Sequence, residues 1–429
     1  MDTRVSELQQ SLCRAAKADN VRRFHSLYDK LYREDILTEA WNRVRANKGA
    51  AGTDGKTIDD IEKEGVDAFL SQIAKELSER TYKPSPLRRV WIPKPNGKRR
   101  CLGIPTVKDR VVQTAAKLLL EPIFEQDFEP NSYGFRPDKS AHGAVMEVVK
   151  WLNFGCEQVI DADIMACFDT IPKGRLIEQV ARRVVDGSML HLVKQWLDAG
   201  ILDGGIVAKQ GEGTPQGSPI SPLLANIYLD QLDKEWMRRG MSSRERADAH
   251  LVRYADDFVI LGRRDMDEAM AKLNEIMGDI GLTLSREKTR IVEAEDGFEF
   301  LGFHFVRHYS GMRKKRVTRW FPSGRSRKRI KERIRHLTDK SNLAIGTPHD
   351  AMQSVVSTLR GWGEYFKHSM AQAAFEEVWG YADASLGRMN RRWHQQPHIG
   401  RHIERVRDGL SVLNTRIKPV PYGAYNAAR

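Results

Sequence analysis

Val252-Arg253-Tyr254-Ala255-Asp256-Asp257-Phe258-Val259-Ile260 sets two adjacent carboxylates between apolar arms. Such arms read as strands, and the run from Leu251 to Leu261 has the outline of a hairpin with the acids at its turn. A charge flanked by core residues is costly unless it is paired or binds a metal. Successive strand residues face opposite ways, so in a straight strand only one of Asp256 and Asp257 could face a given neighbour. A hairpin turn lets both reach one site. A second interruption lies upstream, where Asp161 and Asp163 break the β-rich run from Val159 to Ile164, and Asp169 follows. If that strand lies beside the hairpin, Asp163 and Asp256 converge on one face. Three oxygen donors with no His or Cys suit Mg²⁺ rather than zinc or copper. Each acid alone is weak evidence, since Asp-Asp turns are common; the two runs together carry the reading.

Around these runs, strand-like and helical stretches alternate, which predicts an α+β fold with a sheet backed by helices. Residues 1–45 look helical, and Asn47 to Gly55 is a loop by its glycines and small residues. A short helical stretch reaches Arg80. Arg88 to Pro93 and Arg100 to Ile104 read as two strands joined at Asn96-Gly97. Helical spacing covers Lys108 to Phe124, Gly174 to Leu197, Ser221 to Arg239 and Met266 to Ile280. Beyond about Arg307 the pattern is expected to be helical and basic, with segments at Ser326 to Leu337, Ala351 to Phe366 and Ala371 to Trp393. A domain boundary is placed near residues 306–320.

Composition narrows the class. At 429 residues, 41% hydrophobic and 30% charged, the chain suits a globular protein of two or three domains. No apolar run approaches the ~20 residues needed to cross a bilayer. The N-terminus lacks a signal-peptide layout, and four scattered cysteines show neither a zinc pattern nor a disulfide framework. The expectation is a reducing, cytoplasmic setting without a membrane partner. Net charge is +13, but its placement matters more. From Val306 to Arg429 there are 25 Lys+Arg against 9 Asp+Glu, a net of +16, leaving 45 against 48 before it. The basic excess therefore lies wholly in the last third and points to a polyanion such as nucleic acid.

Taken together, these runs resemble a known family, the reverse transcriptases encoded within bacterial group II introns. Tyr254-Ala255-Asp256-Asp257 is similar to that family's active-site hairpin, and Asp163 to Phe168 to its D-x-x-x-x-F element. Gly213-Thr214-Pro215-Gln216-Gly217-Ser218-Pro219-Ile220-Ser221-Pro222-Leu223-Leu224-Ala225-Asn226 is the most specific match. Arg89-Val90-Trp91-Ile92-Pro93-Lys94-Pro95, Leu102-Gly103-Ile104-Pro105-Thr106 and Ser132-Tyr133-Gly134-Phe135-Arg136-Pro137 resemble its fingers, and the Asn47 to Gly55 loop its N-terminal extension. The C-terminal third, notably Arg360 to Phe366, resembles its thumb and maturase region.

The resemblance implies a right-hand polymerase. An N-terminal extension and fingers would cover residues 1–155 and a palm 156–305, with the reverse transcriptase domain at about 60–305. A helical thumb and maturase region with a DNA-binding tail would follow at 306–429. Asp163, Asp256 and Asp257 would be the catalytic and metal-binding acids, with Ile164 beside them, holding two Mg²⁺ ions for which Mn²⁺ could substitute. Lys94, Arg100 and Arg88 would face the incoming dNTP. Phe168 would exclude a ribose 2′-hydroxyl, Gln216 and Gly217 would lie against template or nucleotide, and Lys288 near the leaving pyrophosphate. Leu301 and Gly302 would hold the primer end, and Arg325, Arg327, Lys328 and Arg329 would meet RNA phosphates. Partners would be template and intron RNA, a DNA primer or target, and dNTPs, in splicing and retrohoming.

Other readings stay open. A solvated basic hairpin explains Lys94 and Arg100, a surface lysine Lys288, and an ordinary core ring Phe168. Trp362 and Tyr365 read as core packing rather than stacking on bases. His394, His398 and His402 recur every four residues, but Pro397 and the lack of an acid or cysteine argue against a metal there. No Cys- and His-rich endonuclease module follows within the 429 residues. A splicing factor with an idle polymerase site, and a free-standing relative in repair or phage defence, are the alternative functions.

Overall fold

A computed structural model describes residues 3–93, 99–203, 206–208, 212–214, 217–263, 265–312, 314–339 and 348–393. The chain divides into two compact units, Met1–Glu147 with Ala162–Arg290, and Val148–Asp161 with Ile291–Arg429. In chain order the described strands are β1 (Leu87–Pro93), β2 (Arg99–Ile104), β3 (Gln158–Asp163), β4 (Ile201–Asp203), β5 (Ile206–Ala208) and β6 (Ala249–Tyr254), then β7 (Asp257–Gly262), β8 (Arg290–Glu293), β9 (Phe298–Phe300), β10 (Phe303–Ser310) and β11 (Lys315–Pro322). Helices alternate with them, so the α+β expectation holds. No helix among the described residues is long and apolar enough to cross a membrane.

In the first unit, the helix Val107–Phe124 is the spine. It buries Val111, Val112, Ala115, Leu118 and Leu119 completely and carries the helices Thr3–Ala18 and Glu34–Ala46 on its flank. Thr106 caps it by accepting from the Asp109 backbone N–H. The Asp109 carboxylate accepts in turn from Tyr82 Oη at 2.6 Å and Ser85 N at 3.1 Å, fastening the lead into β1.

β1 and β2 form an antiparallel pair running from Arg88↔Ile104 to Pro93↔Arg99, within the sheet order β2-β1-β4-β5. The sequence carries no sign of β4 and β5, because three residues are too few to show a period of two. The other large sheet has the order β6-β7-β3-β8, and β3 enters the first unit with its last residues, Ala162 and Asp163. β6 and β7 pair antiparallel from Ala249↔Gly262 to Tyr254↔Asp257, leaving Ala255 and Asp256 as a two-residue turn. Both strands are almost wholly buried, which explains their near-continuous apolar sequence.

One helical expectation is corrected by side-chain detail. Gly174 to Leu197 is two helices, Lys173–Ala181 and Gly187–Asp198. Asp186 caps the second by accepting from Ser188 N and Met189 N, and also binds Leu27 N and Tyr28 N at 2.8 Å. The helix Ala141–Asn153 carries no expectation from the sequence.

In the second unit, β9, β10 and β11 form an antiparallel sheet of order β11-β10-β9, followed by the helices Gly324–Leu337, Pro348–Phe366 and Gln372–Trp393. The expectation of a helical pattern from about Arg307 is therefore wrong as far as Pro322. In β11, Thr318, Trp320 and Pro322 are buried while Lys315, Arg316 and Arg319 are exposed. That alternation is a strand's, and the dense basic charge masks it. The three helices close on Ile334, Val355, Leu359, Val378 and Ala382, all fully buried.

Candidate active site

The hairpin turn is held from below by one buried charge. Arg253, at the end of β6, is fully buried. Its Nε donates to both carboxylate oxygens of Asp233, at 3.1 and 3.0 Å, and its Nη2 donates to the same group. Its Nη1 donates to Asn226 Oδ1 at 3.1 Å and to the Ala255 carbonyl at 3.0 Å. Asn226 Nδ2 donates to the Gly134 carbonyl at 2.7 Å. The Arg253 backbone is bracketed by the 131–134 segment, with Arg253 N donating to Asn131 O and Tyr133 N to Arg253 O.

Ala255 sits at φ +58°, a conformation that L residues other than Asn and Asp seldom adopt. Gly134 lies directly against it: a Cβ there would stand 2.3 Å from Ala255 N. Only glycine permits that approach. The turn's backbone is thus fixed before its carboxylates are considered. Arg253, Asn226, Asp233 and Gly134 carry no expectation as site residues. The signal was present, because Arg253 interrupts an apolar strand just as the acids do.

The acids reach this turn from two runs. Asp163 closes β3, and the next residues cross to the 283–285 segment through an Ile164↔Leu284 bridge and a Ser285 N to Asp163 O bond of 2.8 Å. Lys288 Nζ donates to Asp163 Oδ2 at 2.8 Å, and both side chains are substantially exposed. Ala166, at φ +48°, turns the chain into the helical turn Cys167–Thr170. The Cys167 thiol is buried, and burial pushes its pKa up, with the charges of Asp256, Asp169 and Asp163 adding to the rise and Arg253 opposing it. One buried point therefore feels the acids of both runs.

Among the described residues no three His, Cys, Asp or Glu side chains stand close enough to hold one metal ion. Asp163 is turned to Lys288 instead, which is where a carboxylate goes when a cation is the nearest counter-charge. The donor set nevertheless suits a hard divalent ion: acids that are partly exposed at Asp163 and Asp256 and exposed at Asp257 leave room for the waters Mg²⁺ retains.

Around the acids, two glycines allow backbone to press on backbone. Thr214 N donates to the Phe168 carbonyl at 2.6 Å, and a Cβ on Gly213 would lie 2.4 Å from that same oxygen. Phe168 is therefore clamped by the Gly213-Thr214 segment, with its side chain half-buried. Gly217, at φ +112°, would place a Cβ 2.8 Å from Gly103 O. Arg88 Nε donates to Ala51 O at 2.9 Å, and Arg110 Nη2 to Ala50 O at 2.7 Å, so the N-terminal loop is tied to β1 and to the helix Val107–Phe124. Arg100 stands opposite Ile92 in the β1–β2 pair. Lys94 and Gln216 lie outside the described residues.

In the second unit, Leu301 and Gly302 form the turn between β9 and β10, at φ +50° and +80°. Tyr365 Oη donates to Leu301 O at 2.9 Å, and Ser323 N to Gly302 O at 2.9 Å. Trp362 packs among Phe366, Phe375 and Trp379, with its Nε1 donating to Ser326 Oγ, so packing is the role of that ring. On the helix Gly324–Leu337, Arg327 and Lys331 both pair with Glu377, while Arg325, Lys328 and Arg329 are exposed. Arg325 lies 3.9 Å from Glu299. His394, His398 and His402 fall outside the described residues.

Residues 92–305 match the family described as reverse transcriptase (RNA-dependent DNA polymerase), and residues 327–407 match the group II intron maturase-specific domain. The chain is 35% identical over 360 residues to "Protein YkfC" of Escherichia coli, covering 75% of this chain and 94% of that one. It is 40% identical over 212 residues to "Group II intron-encoded protein LtrA" of Lactococcus lactis, 49% of this chain and 35% of that one. An "Uncharacterized 91 kDa protein in cob intron" of Schizosaccharomyces pombe is 30% identical over 407 residues, half of its own length. The chain thus spans nearly all of one relative and about a third of another.

Proposed function

We propose, from the premise that this chain belongs to the group II intron reverse transcriptase and maturase family, that it extends a DNA primer on an RNA template with dNTPs and two Mg²⁺ ions. One observation carries the reading: β3, which ends at Asp163, lies beside β7, which begins at Asp257 directly after the Ala255-Asp256 turn.

Asp163, Asp256 and Asp257 would hold the ions, with the Ile164 backbone alongside. When bound, the Mg²⁺ pair supplies Lewis acidity at the primer 3′-hydroxyl and neutralises charge on the leaving pyrophosphate. Lys288, paired with Asp163 at 2.8 Å, would give up that carboxylate and turn its ammonium to the triphosphate. Lys94 and Arg100, with Arg88 nearby, would offset the remaining phosphate charge. Gln216 and Gly217 would line the template and nucleotide.

Phe168 would close the sugar pocket. Its backbone cannot retreat, because Thr214 and Gly213 hold it. Phe168→Val is expected to relax discrimination against ribonucleotides by about 100-fold, roughly what a pocket wall gains against one extra hydroxyl. Primer extension with rNTPs and dNTPs in parallel measures it; unchanged sugar selectivity removes Phe168 from the gate.

The second unit would bind structured intron RNA and so assist splicing and retrohoming. Its exposed cations are the basis. Neutralising Arg325, Arg327, Lys328 and Arg329 together is expected to lower the slope of log K against log salt by about 3, at roughly one unit for each phosphate left without its cation. Arg327 contributes least because Glu377 already engages it. Filter binding across a salt series reads this slope, and a slope equal to wild type moves the RNA to another surface.

A further inference from the structure

We propose that Arg253 and Asn226 are positioning residues for the hairpin acids, and that through the Ala255 carbonyl and the Gly134 backbone they set how tightly the site holds its metal ions. The inference rests on the polymerase reading above.

The turn needs outside support. Two-residue hairpin turns with positive φ favour Asn, Asp or Gly, yet here Ala255 occupies the left-handed position. Strain of this kind persists only where the surroundings over-determine it. Two surroundings do so. The Gly134 backbone blocks one side, and the guanidinium of Arg253 binds the turn's own carbonyl from within the core at 3.0 Å. Asp256 follows that carbonyl directly, so its direction depends on where Ala255 O is anchored.

Arginine is specific to the task. A planar fork can serve Asp233, Asn226 and Ala255 at once, which a lysine ammonium on one point cannot. Asn226 completes the link: its oxygen accepts from Arg253 and its nitrogen donates to Gly134 O, so one side chain locks the turn and the segment packed on it. Asn226 and Asp233 stand seven residues apart on the helix Ser221–Arg238, two turns along one face, and that helix is the rigid mount. None of these groups touches the reacting atoms.

Asn226→Ala is the test, since it leaves the Arg253–Asp233 ion pair in place and so retains the fold. Mn²⁺ binding is measured by electron paramagnetic resonance in the presence of a dideoxy-terminated primer on its RNA template. Steady-state incorporation is measured in Mg²⁺. The expected result is a Mn²⁺ Kd raised about tenfold and a kcat lowered by up to about 100-fold, the cost of a displacement near 1 Å. KM for the dNTP should stay within about twofold of wild type. An Asn226→Ala protein with wild-type Mn²⁺ affinity and kcat overturns the inference, even if its melting temperature falls. A wild type that binds no Mn²⁺ and incorporates no nucleotide overturns the polymerase reading and this inference together; an active wild type with an unaffected variant overturns the inference alone.

Discussion

Incorporation of dTTP on poly(rA)/oligo(dT) falls at least about 10³-fold in Asp256→Ala, beyond the 10–100-fold typical of groups that merely support a metal ligand. The protein is expected to stay folded. Asp256 is half-buried at a turn whose backbone is fixed by Arg253 and Gly134, neither of which the substitution touches. A loss of activity with an unchanged melting curve is the signature of a ligand rather than of a structural acid. Incorporation equal to wild type would leave the acids without a catalytic part and favour an RNA-binding splicing factor.

Arg253→Met has the largest expected effect on stability, a loss of about 3–5 kcal/mol. The size follows from what is left behind. Asp233 is fully buried, and after the substitution its carboxylate would keep the Asn131 Nδ2 donor at 3.1 Å but have no cation beside it to replace the guanidinium. Asn226 Oδ1 and Ala255 O lose their guanidinium donor as well. Because most of the penalty is the stranded charge, Arg253→Met/Asp233→Leu should recover a large part of it. Urea unfolding of the two variants separates the possibilities. A single variant that loses less than about 1 kcal/mol would mean that the pair contributes little, as surface pairs do.

The hairpin and its acids are legible in the sequence because strand-forming arms rarely carry carboxylates without a reason. The β1–β2 pair is legible from Arg88 to Pro93 and Arg100 to Ile104 for the same kind of reason, two β-rich runs around Asn96-Gly97. What supports the turn is legible only in part. Arg253 marks itself as a charge within an apolar strand, but its partners Asn226 and Asp233 lie 27 and 20 residues earlier on a helix. No local pattern joins them; only the tertiary fold does. Ala255 has no signature either, since left-handed turn positions are signalled by Gly, Asn or Asp and alanine is none of these. In the second unit the strands β10 and β11 hide behind Arg307, Arg316 and Arg319, whose charge suggests a basic helix while the buried Trp320 and Thr318 alternate as a strand requires. The split at Asp186 fails for a smaller reason. An Asp-Gly-Ser start signal inside a helical stretch is outweighed by apolar spacing on both sides.

The central claim is that carboxylates from two runs far apart in sequence, the end of β3 and the β6–β7 turn, share a pair of divalent ions. Anomalous diffraction from a Mn²⁺-soaked complex with RNA template, dideoxy-terminated primer and dTTP tests it most directly. Two peaks ~3.5–4 Å apart, ligated by Asp163, Asp256 and Asp257, with Lys288 released from Asp163, are the predicted result. Peaks elsewhere, or Asp163 still paired with Lys288 and no ion at the turn, would contradict it.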